Sequence, residues 1–142
     1  MTNLLFVYGT LRRSLDGKPH PFLSECEYVG EAYFNGKIYD LGAFPGAMLS
    51  DNPNDLVKGE VYRLHQPEPL LAALDLYEGA VGLDRLYRRE LAEVVLEDGC
   101  RIGAYIYIFN HSVNGYTRIE SGDYVEYLRE TEFSGLDEFV KI

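Results

Sequence analysis

Leu4-Leu5-Phe6-Val7-Tyr8 is an unbroken apolar run stopped by Gly9. Alternation would leave one strand face for water; a run that is apolar at every position suits a strand buried on both faces. The remainder of the chain must then cover that strand from both sides. With 142 residues, 46% of them apolar and 25% charged, it has the length and composition of one compact domain spanning 1–142.

Tyr28 to Phe34 and Lys37 to Leu41 are strand-like, and Asn35-Gly36 between them predicts a tight hairpin, because Asn-Gly readily takes positive φ. Val57 to Leu64 alternates well enough for another strand. Pro67 to Tyr77 reads as a helix. Proline suits its first turn, Leu70, Leu71, Leu74 and Tyr77 share a face, and Gly79 suits the stop. Leu91 to Leu96 and Ile102 to Phe109 read as strands joined at Asp98-Gly99, and Ser121 to Arg129 as a last helix capped by Ser121. Arg12 to Glu25, with Gly17, Pro19 and Pro21, should be irregular or hold one short helix. The order predicts an α+β fold: a mainly antiparallel, strongly curved sheet with two or three short helices.

Charge and missing motifs narrow the chemistry. Thirteen Lys+Arg against 23 Asp+Glu give a net charge of −10, a field that repels phosphate backbones and argues against a nucleic-acid partner. No apolar run approaches the ~20 residues of a membrane-spanning helix, and the N-terminus lacks a signal-peptide pattern, so a cytoplasmic protein is expected. Cys26 and Cys100 form neither a disulfide framework nor a zinc site, and His20, His65 and His111 lack ligand spacing. No metal or organic cofactor is therefore expected. Cys26 lies between glutamates, which disfavour a thiolate nucleophile. Carboxylate acid–base chemistry is what remains for an enzyme.

Two segments offer that chemistry. In Val7-Tyr8-Gly9-Thr10-Leu11 a buried strand breaks into a glycine, where a ligand can approach the backbone and successive N–H groups can cradle an anion or oxyanion. Many buried strands end this way without binding anything. In Leu74-Asp75-Leu76-Tyr77-Glu78-Gly79 the glutamate falls at the end of the expected helix. The helix dipole there disfavours a carboxylate, as would burial beside Tyr77, so both push the pKa of Glu78 upward, toward the range of a reversible proton carrier. The plainer alternative is a solvated glutamate ahead of a loop.

Taken together, Tyr8-Gly9-Thr10-Leu11, Gly36-x-Ile38-Tyr39-Asp40-Leu41-Gly42 with Phe44-Pro45-Gly46, Val57-x-Gly59-Glu60-Val61-Tyr62, and Asp75-x-x-Glu78-Gly79 with Tyr87-x-Arg89 resemble the gamma-glutamylcyclotransferase-like family, most nearly its gamma-glutamylamine cyclotransferase branch. The resemblance implies a curved mixed β-barrel with helices around it and one pocket for a small gamma-glutamyl substrate. It implies release of 5-oxoproline, as the substrate's own α-amine attacks its γ-carbonyl and expels an amine. By motif position Glu78 takes the catalytic glutamate's role, Tyr8, Gly9, Thr10 and Leu11 form the glutamyl-holding loop, and Tyr39 and Tyr87 line the pocket. Arg12 to Leu23 departs from the family's pattern, which leaves the identity of the amine open. A non-catalytic small-ligand binding or regulatory domain on the same fold is the alternative, and the sequence is silent on oligomeric state.

Overall fold

The computed structural model describes residues 2–9, 11–12 and 20–130. Seven strands and two helices follow in the order β1 (Leu4–Val7), β2 (Glu27–Asp40), β3 (Pro45–Leu49), β4 (Leu56–Arg63), α1 (Pro67–Tyr77), β5 (Tyr87–Leu96), β6 (Arg101–Phe109), β7 (Thr117–Arg118) and α2 (Tyr124–Glu130). The fold is α+β, as the order of elements predicts. A 3-10 turn, Pro21–Leu23, sits in the irregular segment after β1.

Five of the strands close into a barrel. β1 runs antiparallel to β4, β4 to β2, and β2 to β3. Parallel pairings of β3 with β6 (Ala47 opposite Ile108) and of β6 with β1 (Tyr105 opposite Leu5) complete the ring. β5 pairs with β6 along its length and touches β2 at Ala32 to Phe34. Leu5, Phe6, Val7 and Tyr8 are completely buried, which explains the unbroken apolar run: β1 has a strand on each edge and core on each face. Ile38, Ala47, Val57, Val61, Val94 and Ile106 join them in one continuous core.

The structure corrects two local readings and adds a strand. Asn35-Gly36 is not a hairpin; it lies inside β2, one strand of 14 residues. Gly36 is used there for close approach, since a Cβ would stand 2.4 Å from the Met48 carbonyl oxygen and 2.6 Å from the Phe34 ring. Asn35 is held by its side chain, whose Nδ2 donates to the carbonyls of Asn52 and Asp55 at 2.8 and 2.9 Å. The two halves of β2 keep one direction and serve different partners, β4 up to Asn35 and β3 from Gly36 onward. The short strand β3, begun by a proline, has no alternation by which to recognise it. Helix α2 begins later than expected: Asp123, not Ser121, accepts from the N–H groups of Val125 and Glu126, while Ser121 accepts from the N–H of Asp123. Among the described residues no helix is long and apolar enough to cross a membrane.

Candidate active site

Helix α1 delivers Glu78. It spans the Pro67 to Tyr77 segment that the sequence predicts, and its inner face is anchored by Leu71 and Leu74. Glu78 is the capping residue, still near helical geometry, with its N–H donating to the Leu74 carbonyl at 2.8 Å. Gly79 then takes φ +68°, its N–H bonds the Leu76 carbonyl, and the N–H of Ala80 bonds that of Asp75. This paired closure, the Schellman motif, needs the left-handed residue that glycine supplies without strain. It turns the chain back on itself. The N–H of Leu86 bonds the Gly79 carbonyl at 2.8 Å, so β5 starts beside the helix end and Tyr87 follows at once.

Glu78 has no solvent-exposed surface. Its charge acts on three buried phenols, Tyr8, Tyr87 and Tyr107, contributed by three different segments. The Tyr8 hydroxyl donates to the Tyr107 carbonyl at 2.6 Å and accepts from the N–H of Ala47 at 3.1 Å. The Tyr87 hydroxyl donates to the Pro45 carbonyl at 2.6 Å, and that of Tyr107 to Asp75 Oδ1 at 2.6 Å. Burial is the main cause that raises the pKa of Tyr8 and Tyr87, with the Glu78 carboxylate adding to it at Tyr8 and, after Tyr8 itself, at Tyr87; for Tyr107 burial and the bond to Asp75 are the larger causes. All three hydroxyl protons are thus held in structural bonds. A carboxyl group in this setting is the one suited to exchanging a proton with a bound molecule, while the rings supply apolar walls.

The glycine loop follows directly from Tyr8. Gly9 and Leu11 are buried, and the Gly9 carbonyl accepts from the N–H of Arg12 at 3.1 Å; Thr10 lies outside the described residues. Arg12 pins the far side of this turn: it is buried, bonds Asp123 Oδ1 at 2.9 Å and stands 3.7 Å from Glu60. Tyr39 is placed differently from the other candidates. It lies on the Lys37 face of β2, opposite the buried Ile38, and stands in register with Arg118 of β7. Among the segments with no clear family match, residues 13–19 lie outside the described residues, whereas His20 caps the 3-10 turn and Phe22 packs 4.9 Å from the ring of Tyr77. Cys100 is exposed, and its bond to Asp98 raises the thiol pKa, which disfavours a thiolate.

Residues outside the expected site surround it. Tyr107 carries no motif signal beyond its place in an apolar strand, yet it contacts both Tyr8 and Asp75. Asp75 and Arg89 stand within the quoted motifs, where neither is assigned a role; they form a two-pronged ion pair at 2.9 and 3.1 Å. Tyr127 donates to Asp40 Oδ2 at 2.6 Å, fastening α2 to the end of β2. Partner choice of this kind follows from the ring closure of the strands and has no local sequence signal.

The comparisons with known proteins agree with this architecture. A family profile described as "Gamma-glutamyl cyclotransferase, AIG2-like" matches residues 5–126. A Vibrio cholerae protein is 35% identical over 130 residues, covering 89% of this chain and 98% of its own, and carries the gamma-glutamylcyclotransferase name provisionally. The gamma-glutamylcyclotransferase family protein YtfP of Escherichia coli is 32% identical over 123 residues, 86% of this chain and 96% of its own. The crystal structure of YkqA from Bacillus subtilis superposes with a TM-score of 0.72 at 28% identity, covering 95% of this chain; the chain spans 44% of that protein's length. By sequence and by fold, this chain belongs to the AIG2-like gamma-glutamyl cyclotransferase family.

Proposed function

We propose that the protein is a cyclotransferase that releases 5-oxoproline and a free amine from a gamma-glutamyl amine or gamma-glutamyl peptide. The observation that carries this reading is the complete burial of the Glu78 carboxyl at a helix end, within the electrostatic reach of Tyr8 at the mouth of the glycine loop. A solvated surface glutamate would need no such setting, and burying a carboxyl without use is costly.

In this mechanism the nucleophile arrives with the substrate. The loop of Tyr8, Gly9 and Leu11 holds the glutamyl chain folded, bringing its α-amine against its γ-carbonyl so that a five-membered ring can close. Glu78 takes a proton from the α-ammonium, the freed amine attacks the γ-carbon, and backbone N–H groups of the loop receive the developing oxyanion. Glu78 then gives its proton to the departing nitrogen as the carbon–nitrogen bond breaks. The extra proton left on the ring nitrogen passes by the same carboxylate to the released amine, which departs as an ammonium. Tyr87 lies within the electrostatic reach of Glu78, its hydroxyl committed to the Pro45 carbonyl. Neither an activated side-chain nucleophile nor a metal enters these steps. The small-molecule substrate is the partner, and the reaction suits a cytoplasmic setting.

The experiment is incubation of the protein with a panel of gamma-glutamyl amines and peptides, with 5-oxoproline read by mass spectrometry, alongside Glu78→Gln. The wild type should release 5-oxoproline from at least one compound. The variant should lose about 10²–10⁴-fold in kcat, the usual worth of general acid–base catalysis, while keeping its substrate affinity and its melting temperature. Release by Glu78→Gln at the wild-type rate would move the proton carrier elsewhere. Silence of the wild type across the panel, with a gamma-glutamyl compound bound, would make the chain a binding domain.

A further inference from the structure

α1 buries two of its residues, Leu71 and Leu74, against the barrel. Apolar contacts of that kind hold a helix near a surface without fixing its rotation, because they have no direction. The direction comes from Asp75. Its two carboxylate oxygens receive Arg89 Nε and Nη2 at 2.9 and 3.1 Å, a fork that defines a plane as well as a distance. Arg89 is itself steadied with its guanidinium 4.9 Å from the centre of the Tyr105 ring. A third bond, from the Tyr107 hydroxyl at 2.6 Å, ties the same carboxylate to the neighbouring strand β6. The backbone of Asp75 is engaged as well, accepting from the N–H of Ala80 in the turn beyond Glu78.

Asp75 stands three residues before Glu78, so the two share a helix face, one turn apart. Tyr107 extends the connection in the other direction, since its carbonyl accepts the Tyr8 hydroxyl at 2.6 Å. One residue of β6 therefore grips the last turn of α1 with its side chain and the start of the glycine loop with its backbone. We propose that Asp75, clamped by Arg89 and Tyr107, is a positioning residue that sets where the Glu78 carboxyl stands relative to Tyr8. Its catalytic consequence rests on the cyclotransferase reading; its structural consequence does not.

The test uses crystal structures and kinetics of Asp75→Asn and Arg89→Lys in the intact chain. Asn keeps the volume of Asp but cannot receive the charged fork, and Lys keeps the charge of Arg but has no fork to give. In both variants the Glu78 side chain should shift by about 1 Å or more relative to Tyr8, a displacement of the size that costs on the order of 10²-fold in rate. With a turned-over substrate, kcat should fall by about 10- to 100-fold with KM changed less than about threefold. Tyr107→Phe, which removes the hydroxyl and leaves the carbonyl bond to Tyr8, should lower kcat too, and combined with Asp75→Asn should add nothing further. Exposed Glu93, paired with Arg101, supplies the control: Glu93→Gln should leave Glu78 and kcat unchanged. An unmoved Glu78 in a folded Asp75→Asn variant would overturn the proposal, as would full kcat in Arg89→Lys. If the wild type turns over nothing while Glu78 still moves in the variants, the cyclotransferase reading fails and the positioning role stands.

Discussion

Buried hydroxyls give this protein a pH limit on the alkaline side. Tyr8, Tyr87, Tyr107 and Tyr124 all hold their protons above the ordinary value of 10.0, chiefly because burial penalises the phenolate. Tyr127, bonded to the Asp40 carboxylate, is pushed up to about 12. The unfolded chain releases these protons near pH 10, where the folded chain still binds them, so the unfolded state carries fewer protons and stability falls as pH rises. Their contribution should be whole below about pH 10 and drain away through the Tyr127 value and beyond. Urea denaturation at about pH 8 and about pH 11, with tyrosinate absorbance followed in parallel, checks this. Ionisation of all 12 tyrosines at the free-tyrosine pH in a chain that stays folded would contradict it. The same residues show what the sequence conceals: Glu78 and the glycine after Tyr8 stand out by position, whereas the hydroxyl partners of Tyr8 and Tyr107 lie 99 and 32 positions away.

At the scale of elements, legibility followed locality. α1 is readable from end to end because its start, stripe and stop are written in consecutive residues, and the Asp98-Gly99 turn is readable for the same reason, with Gly99 at φ +92°. β2 is not, because Asn35-Gly36 has a strong local preference that three partner strands override. The structural use of Gly36 makes a prediction opposite to a turn glycine's. In a hairpin an alanine would strain φ; here it would drive a methyl into the Met48 carbonyl and the Phe34 ring. Gly36→Ala should destabilise the protein by about 1–3 kcal/mol through overpacking, measured by urea denaturation. An unchanged midpoint would mean that β2 and β3 separate freely at this point.

For the whole molecule, the closed ring places β1 between β4 and β6, with the core on both sides. Local opening frees outer elements first, so the amides of Leu5, Phe6 and Val7 should exchange with solvent only on global unfolding. Those of Asp98 and Gly99, at the tip of the β5–β6 turn, should exchange many orders of magnitude faster. Hydrogen exchange followed by NMR reads both; rapid loss of the β1 amides under native conditions would refute the closed ring. Curvature and an antiparallel majority were legible in the pattern of strands, whereas closure into a barrel was implied by the family resemblance alone. It depends on two parallel contacts, Leu5 with Tyr105 and Ala47 with Ile108, between segments whose own sequences say nothing of each other.

That closure has a consequence in time. A chain emerging from the ribosome exposes β1 before the other strands, and its β6 neighbour exists only after Tyr105 has been made. Until then the most apolar strand of the protein has an open edge, the condition under which nascent chains associate wrongly or recruit chaperones. The bond from Tyr8 to the Tyr107 carbonyl belongs to the same moment. Sealing the barrel and assembling the surroundings of Glu78 are therefore one event in synthesis, and a chain halted before β6 has neither.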